Sequence, residues 1–139
     1  MAIAYWCGGD SGKETDIDVA ANYVDAPNGT NPFGSVPDGD DDVVFQSLAL
    51  SNVADNPTVN DNITFNAIKI DSGCTLTGNA SYSITVDSES DFGTLGSLHA
   101  VYIAGILGTN VNVIIACNAV TSLQLNGSSG NLHNVTVND

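Results

Sequence analysis

The sequence contains no arginine and only two lysines, Lys13 and Lys69, against sixteen aspartates and glutamates, so its formal net charge is −14 over 139 residues. A chain with so few cations cannot neutralise phosphate groups, and we therefore expect neither nucleic acids nor membranes as partners. Most carboxylates also lack an ion-pair partner within the chain. They must instead be solvated, accept hydrogen bonds from N–H groups, or bind a cation.

Long apolar runs and helix-forming residues are scarce as well. No stretch approaches the roughly 20 apolar residues that a membrane helix needs, and glutamate and lysine occur only twice each. Sixteen asparagines and fourteen glycines instead separate short apolar runs. The apolar content of 42% suffices for a core, and the length suits one domain. The composition predicts one compact all-β domain.

Cysteine is present only as Cys7, Cys74 and Cys117, an odd number without C-x-x-C spacing. This pattern is neither a disulfide framework nor a zinc motif. Because Cys74 and Cys117 adjoin apolar residues, we expect their thiols to be buried as small apolar groups.

The chain divides into two regions by texture. Residues 1–42 are rich in turn-forming dipeptides and predict a loop-rich N-terminal cap, with one short helical turn around residues 17–24 that begins near Asp16 or Asp18. Residues 43–139 alternate apolar and polar positions, which is the pattern of β-strands and predicts the strand-repeat body. The expected strands cover residues 43–50, 63–70, 82–86, 99–104, 111–116, 121–125 and 132–137.

A short unit recurs in the strand region: an apolar residue, any residue, a second apolar residue, then Asp or Asn. It ends at Asp71, Asp87, Asn126 and Asn138. Stacked copies of such a unit suit a short β-solenoid resembling a parallel β-helix, in which strands pair about 4.8 Å apart and Asx residues form the corners. Because the spacing between copies is irregular, an antiparallel β-sandwich or jelly roll is the alternative.

The densest charge lies at Asp38, Asp40, Asp41 and Asp42. Carboxylate oxygens this close together could bind Ca²⁺, which accepts six to eight oxygen ligands in irregular loops. The spacing does not match an EF-hand, and a solvated turn that leads into the first strand explains the same residues. A second acidic segment, residues 87–91, predicts a polar turn between strands.

Motifs for catalysis are missing. His99 and His133 lie in or beside predicted strands, without a serine or cysteine in a recognised nucleophile motif nearby, and the sequence has no G-x-S-x-G, H-E-x-x-H or phosphate-binding loop. We therefore expect a protein that is not an enzyme and that carries no cofactor other than the calcium ion considered above.

Three segments of the first third carry a family resemblance: YWCGG at residues 5–9, ANY at 21–23 and VPDGDDDVVF at 36–45. Together they resemble the N-terminal module of bacterial and phage surface β-solenoid proteins of the adhesin, tail and fibre type. In that module a W-x-G-G start and an N-W pair precede a V-P-x-x-x-D-D-V-V-F strand. Tyr23 stands here in place of the second tryptophan, and Cys7 in place of valine or threonine.

The resemblance implies a structural or adhesive role on a surface, with no catalytic residues. Trp6, Tyr23 and Phe45 would then close the open end of the strand stack as a structural cap and keep its edge from pairing with other chains. A chain of this length that begins at Met1 without a visible secretion signal favours a virion protein, either a bacteriophage capsid decoration protein or a short head fibre.

We expect this protein on the virion surface, as a homo-oligomer such as a trimer, that contacts a capsid or another protein lattice. The apolar segments 100–107 and 111–116 are candidate subunit contacts, although ordinary core is the simpler interpretation. The first alternative is an extracellular filament, surface-layer or adhesin subunit at the cell surface. The second is a polysaccharide-binding or polysaccharide-cleaving module.

Overall fold

The computed structural model describes residues 1–9, 12, 14–93, 95–108, 110–117, 123–125 and 135–137. These residues form thirteen short strands and one 3₁₀ helix, Ala20–Asn22. The strands are β1 (Ile3–Trp6), β2 (Tyr23–Val24), β3 (Asp42–Phe45), β4 (Thr58–Val59), β5 (Ile63–Phe65), β6 (Ala67–Ile70), β7 (Thr75–Gly78), β8 (Ser83–Val86), β9 (Val101–Ile103), β10 (Ile106–Leu107), β11 (Asn112–Ile115), β12 (Leu123–Leu125) and β13 (Val135–Val137). The protein is all-β, as its composition predicts.

The strands belong to three sheets. A six-stranded sheet has the order β12-β9-β6-β3-β1-β2, a three-stranded sheet the order β10-β7-β4, and a four-stranded sheet the order β13-β11-β8-β5. From β3 to β11 the chain visits the six-stranded, three-stranded and four-stranded sheets in turn, three times over. Among the described strand pairs all are parallel except β1 with β2. An antiparallel sandwich, the alternative expectation, would be built from the opposite kind of pair.

Because the strands pair in parallel and in register, residues of similar type lie above one another in neighbouring strands. In the six-stranded sheet Val43 pairs with Ile68, which pairs with Val101, and the next inward position aligns Phe45 with Ile70. All five side chains are buried in one continuous core. Apolar β-branched and aromatic residues at alternate positions therefore bury one face of each strand, which is the main source of stability for such short strands.

The predicted strand of residues 63–70 is in fact two strands. β5 ends at Phe65, β6 begins at Ala67, and the two pair in different sheets, so the single residue Asn66 forms a corner. The Asn66 side chain donates a hydrogen bond to the Asp42 carboxylate, and its N–H donates to the Asp41 carbonyl. The two bonds give partners to the side-chain amide and the backbone N–H of Asn66 at the corner. The predicted strand of residues 43–50 is also shorter, because β3 ends at Phe45.

The segment 1–42 contains more regular structure than its turn residues predict. β1 pairs in parallel with β3 and so belongs to the six-stranded sheet. β2 pairs with β1 in the antiparallel direction and is bridged on its other side by Pro32. The expected helical turn is confirmed as the 3₁₀ helix, but it follows Val19 and has no side-chain cap from either aspartate.

The remaining strand predictions hold in their centres. β8, β9 and β11 lie within the predicted residues 82–86, 99–104 and 111–116, and their inward side chains are core, as the simpler interpretation of the apolar segments expected. Ile106 is the exception at 43% exposed. Of the predicted strands 121–125 and 132–137 the structure describes only β12 and β13, and the other residues lie outside the described part.

Asparagine side chains form hydrogen bonds between successive passes of the chain, where one pass is one visit to the three sheets in turn. The Asn56 side-chain oxygen accepts a hydrogen bond from the Thr75 N–H (2.8 Å), and that of Asn62 accepts one from the Ser83 N–H (3.0 Å). The Asn112 side chain donates to the Tyr82 carbonyl (2.9 Å). Such bonds satisfy backbone groups where strands end, which explains why a chain of short strands needs so much asparagine.

Candidate functional site

The predicted cap residues Trp6, Tyr23 and Phe45 are brought together by the structure and are completely buried. The ring centroids of Trp6 and Tyr23 are 5.4 Å apart in an edge-to-face arrangement, and those of Trp6 and Phe45 are 6.2 Å apart. The Tyr23 hydroxyl donates to the Ile17 carbonyl (2.8 Å). Phe65, which the sequence did not single out, extends the cluster at 6.4 Å from Phe45. That this cluster closes an end of the stack stays a prediction.

The four aspartates of the calcium prediction do not point the same way. The Asp38 carboxylate accepts a hydrogen bond from the Asp40 N–H (3.0 Å), and the Asp41 carboxylate accepts one from the Asp38 N–H (3.4 Å). These three residues form a solvated turn, whereas Asp42 is only 1% exposed. Among the described residues no three metal-ligating side chains group together. Calcium binding stays a prediction.

Asp42 instead lies in a buried polar network. The Ser90 hydroxyl donates to one carboxylate oxygen, and the Asn66 side chain donates to the other at 2.6 Å. The Ser90 oxygen in turn accepts a hydrogen bond from the Phe92 N–H (2.9 Å). Burial raises the pKa of Asp42; the two donors oppose this shift, and the neighbouring charge of Asp41 adds to it.

Ser90 belongs to a long connection between β8 and β9, residues 87–93 and 95–100, which we call the strap. The backbones of Ser90 and His99 form an antiparallel bridge with hydrogen bonds of 3.0 and 2.9 Å. Phe92 packs in a second apolar cluster with Val44 and Tyr102, on the outer face of the six-stranded sheet. The strap therefore folds back over that face, and the expected polar turn at residues 87–91 is one part of it.

His99 is the other polar side chain of interest in the strap. It is buried, its ring centroid lies 5.5 Å from that of Tyr102, and its Nδ1 has no hydrogen-bond partner among the described residues. The Ser90 hydroxyl donates to Asp42 and is itself buried. Ser90 is thus held as a structural donor rather than presented to solvent. His133 lies outside the described residues.

The thiols are buried, as predicted for Cys74 and Cys117, and all three cysteines are unpaired. Burial, with the Asp71 charge, raises the pKa of Cys74 to about 12. Burial also raises the pKa of Cys7, whose thiol donates to the Ala21 carbonyl at 3.7 Å. Because the thiolate is the reactive form, neither cysteine is suited to nucleophilic chemistry.

A cleft of about 320 Å³ opens beside Cys7 near the 3₁₀ helix. Its lining combines uncharged side chains with backbone, from Cys7, Gly9, Ala21, Tyr23, Val24, Gly29, Thr30, Pro32 and Asn52. It therefore contains neither an acid–base pair nor a charged group that could orient a substrate.

Comparison of the chain with protein-family models, curated proteins and solved structures finds no match. The class of the protein is thus defined by its own structure: an all-β protein with about 36% strand, built mainly from parallel strands. In the described part of the chain no helix has the length and apolar character needed to cross a membrane.

Proposed function

We propose that the chain is a short parallel β-solenoid with an N-terminal cap. Three visits to the same three sheets, in the same order and with parallel partners, support this architecture. The aligned inward positions and the asparagine bonds between successive passes support it further. A body of this kind is rigid because each pass is hydrogen-bonded to its neighbours on both sides.

We further propose that it is a non-enzymatic structural protein of a particle surface, specifically a bacteriophage capsid decoration or short head-fibre protein. One observation carries this proposal: the groups that could support chemistry serve the interior of the fold. The thiols of Cys74 and Cys7 have raised pKa values, and the Ser90 hydroxyl is bonded to a buried carboxylate. The exposed carboxylates lie largely in turns, where they give hydration and solubility.

The proposed partners are further copies of the chain, in a homo-oligomer such as a trimer, and a protein lattice. Particle surfaces require a folded, soluble body that withstands proteases, and long connections that are hydrogen-bonded and packed onto the body, as the strap is, provide few cleavable segments. The exposed acidic turns also keep free oligomers apart from one another through like-charge repulsion until they reach the lattice.

Immunogold labelling tests this function. Antibodies raised against the purified chain are applied to particles and cells from a culture that expresses it, and the grids are examined by negative-stain microscopy. We expect regular labelling of particle surfaces. Labelling restricted to cell-surface filaments would favour the filament or adhesin alternative. Turnover of a polysaccharide panel at ordinary enzymatic rates would contradict the structural role.

A further inference from the structure

The outer faces of the three sheets differ in chemistry. In the four-stranded sheet the outward column aligns Thr64, Thr85, Ile114 and Thr136, and in the three-stranded sheet the hydroxyls of Thr58 and Thr77 are 2.9 Å apart. The six-stranded sheet instead places Tyr5, Val44 and Tyr102 outward, together with Lys69. Only this last outer face has a buried apolar cluster of its own, among the described residues.

The strap covers part of that face and leaves a margin uncovered. Ile3, Tyr5 and Leu95 pack at the edge of the buried cluster and stay partly exposed. Leu98 of the strap is 53% exposed, and Met1 is 82% exposed, with its sulfur 3.8 Å from the Asn66 amide nitrogen. Partly exposed apolar side chains around one buried cluster of a strongly charged protein, with further exposed ones in the strap and at Met1, are typical of an interaction surface.

Carboxylates lie along the rim of the same margin. A side chain at Gly39 would meet the Asp87 carboxylate at 3.2 Å, so the exposed turn containing Asp38 and Asp40 lies against the start of the strap. Asp91 is exposed directly after Ser90. We call this surface the acidic-rimmed patch: Met1, Ile3, Tyr5, Leu95 and Leu98, with Asp38, Asp40, Asp87 and Asp91 around them.

Within the described part of the chain, Lys69 is the cation on this face. Lys69 shares the outward column with Tyr5, and its ammonium group is 3.0 Å from the Asp71 carboxylate. Burial, with the nearby negative charges of Asp71 and Asp42, raises the pKa of Tyr5. Because the carboxylates of the rim outnumber Lys69, the field over the apolar centre is negative, and a partner with the opposite charge would be attracted to it.

We propose that the acidic-rimmed patch binds a protein surface in which arginine or lysine side chains surround an apolar centre. This proposal rests on the proposed function, because it names the face and the chemistry by which the protein meets its lattice. Charge complementarity selects the occupant: a second copy would bring its own net charge of −14 and only two lysines to the same rim. An apolar centre with a charged rim is the usual anatomy of a transient interface.

The probe for this proposal is a short fluorescent peptide in which arginines flank a central block of leucine and tryptophan. Its binding to the purified full chain is measured by fluorescence anisotropy. The test variant combines Asp87→Asn with Asp91→Asn, and the matched control combines Asp18→Asn with Asp61→Asn. Both pairs are exposed and change the net charge equally, but Asp18 accepts a hydrogen bond from Asn60, and Asn60 and Asp61 come just after β4 of the three-stranded sheet, outside the patch.

We expect the test pair to weaken binding about tenfold, and Leu98→Ser about as much, while the control pair changes it less than about twofold. Equal losses in the test and control pairs would show unspecific attraction to net charge and would overturn the proposal. Absence of binding to the unaltered chain would also overturn it. Far-UV circular dichroism and melting of each variant confirm that the fold is intact.

Sedimentation velocity tests whether a second copy of the chain, instead of a different protein, occupies the patch. If the unaltered chain forms an oligomer that Leu98→Ser dissociates, a second copy occupies the patch and the proposal is wrong. If Leu98→Ser leaves the oligomeric state unchanged, the sedimentation result supports binding of a different protein at the patch. Because both measurements use the purified chain, their failure leaves the immunogold result on particle location standing, and the two proposals can fail separately.

Discussion

Replacing Ser90 by alanine tests the buried network most directly. The substitution removes the hydroxyl that donates to one Asp42 oxygen, and leaves the carboxylate with Asn66 as its remaining side-chain donor. A hydrogen bond to a buried charged group is worth about 1.5–3 kcal/mol. We therefore expect Ser90→Ala to lower the free energy of unfolding by about 2 kcal/mol at pH 7, and the melting temperature by about 7 °C.

The neutral variant Asp42→Asn supplies the matched comparison. Because the charge is what makes the missing donor expensive, Ser90→Ala should cost less than about 1 kcal/mol when Asp42 is already asparagine. The four proteins of this double-mutant cycle are unfolded with urea and followed by circular dichroism. Equal costs of Ser90→Ala in both backgrounds would refute the assignment of a charged acceptor.

The pH dependence follows from the raised pKa of Asp42. Burial favours the protonated form in the folded protein, so the associated stability is fully present below the ordinary pKa of 3.8 and is lost as pH rises through the raised value. The unaltered protein should therefore gain stability relative to Asp42→Asn as pH falls from 7 towards 4. A constant difference between the two proteins across that range would contradict the raised pKa.

Three further predictions concern the core and the connections. Trp6→Ala should cost about 3–5 kcal/mol in urea unfolding, and Trp6→Phe clearly less, because the ring is completely buried among aromatic side chains. Gly105→Ala should destabilise by several times more than Gly9→Ala, since a Cβ at Gly105 meets two backbone carbonyls at overlapping distance whereas one at Gly9 has 3.5 Å of space; equal melting temperatures would contradict this. Cys74 should resist a thiol reagent at pH 8 in the folded state and react on unfolding, because its pKa is about 12 and it is buried; mass spectrometry of the labelled peptide checks it.

The sequence was sufficient for the class of fold and for the longer strands. Alternation of apolar and polar residues is a local signal, and it predicts β8 and β11 because each extends over four residues. The two-residue strands β4 and β10 are too short to show any alternation, so only their pairing with β7 identifies them. β1 also has four residues, but it lies in a segment rich in turn-forming dipeptides and its partner β3 is distant in sequence.

Asp42 shows why the candidate site was harder to predict. In sequence it is the last of three consecutive aspartates, and nothing local separates it from its exposed neighbours. It is buried because the strap, more than forty residues later, covers its outward position and brings Ser90 to it. A usable signal was present in the strap itself. Phe92 and Leu95 are large apolar residues in a long Gly- and Ser-rich connection, and such residues indicate that a loop packs onto the body.

The antiparallel strand β2 has a consequence for growth. A parallel sheet with a bare first strand could accept another chain as its next strand and lengthen indefinitely, as amyloid does. Here that position is taken by a strand running the opposite way, and behind it stands Pro32, which has no N–H to donate. Copies of this protein therefore cannot join head to tail by extending the six-stranded sheet past β2.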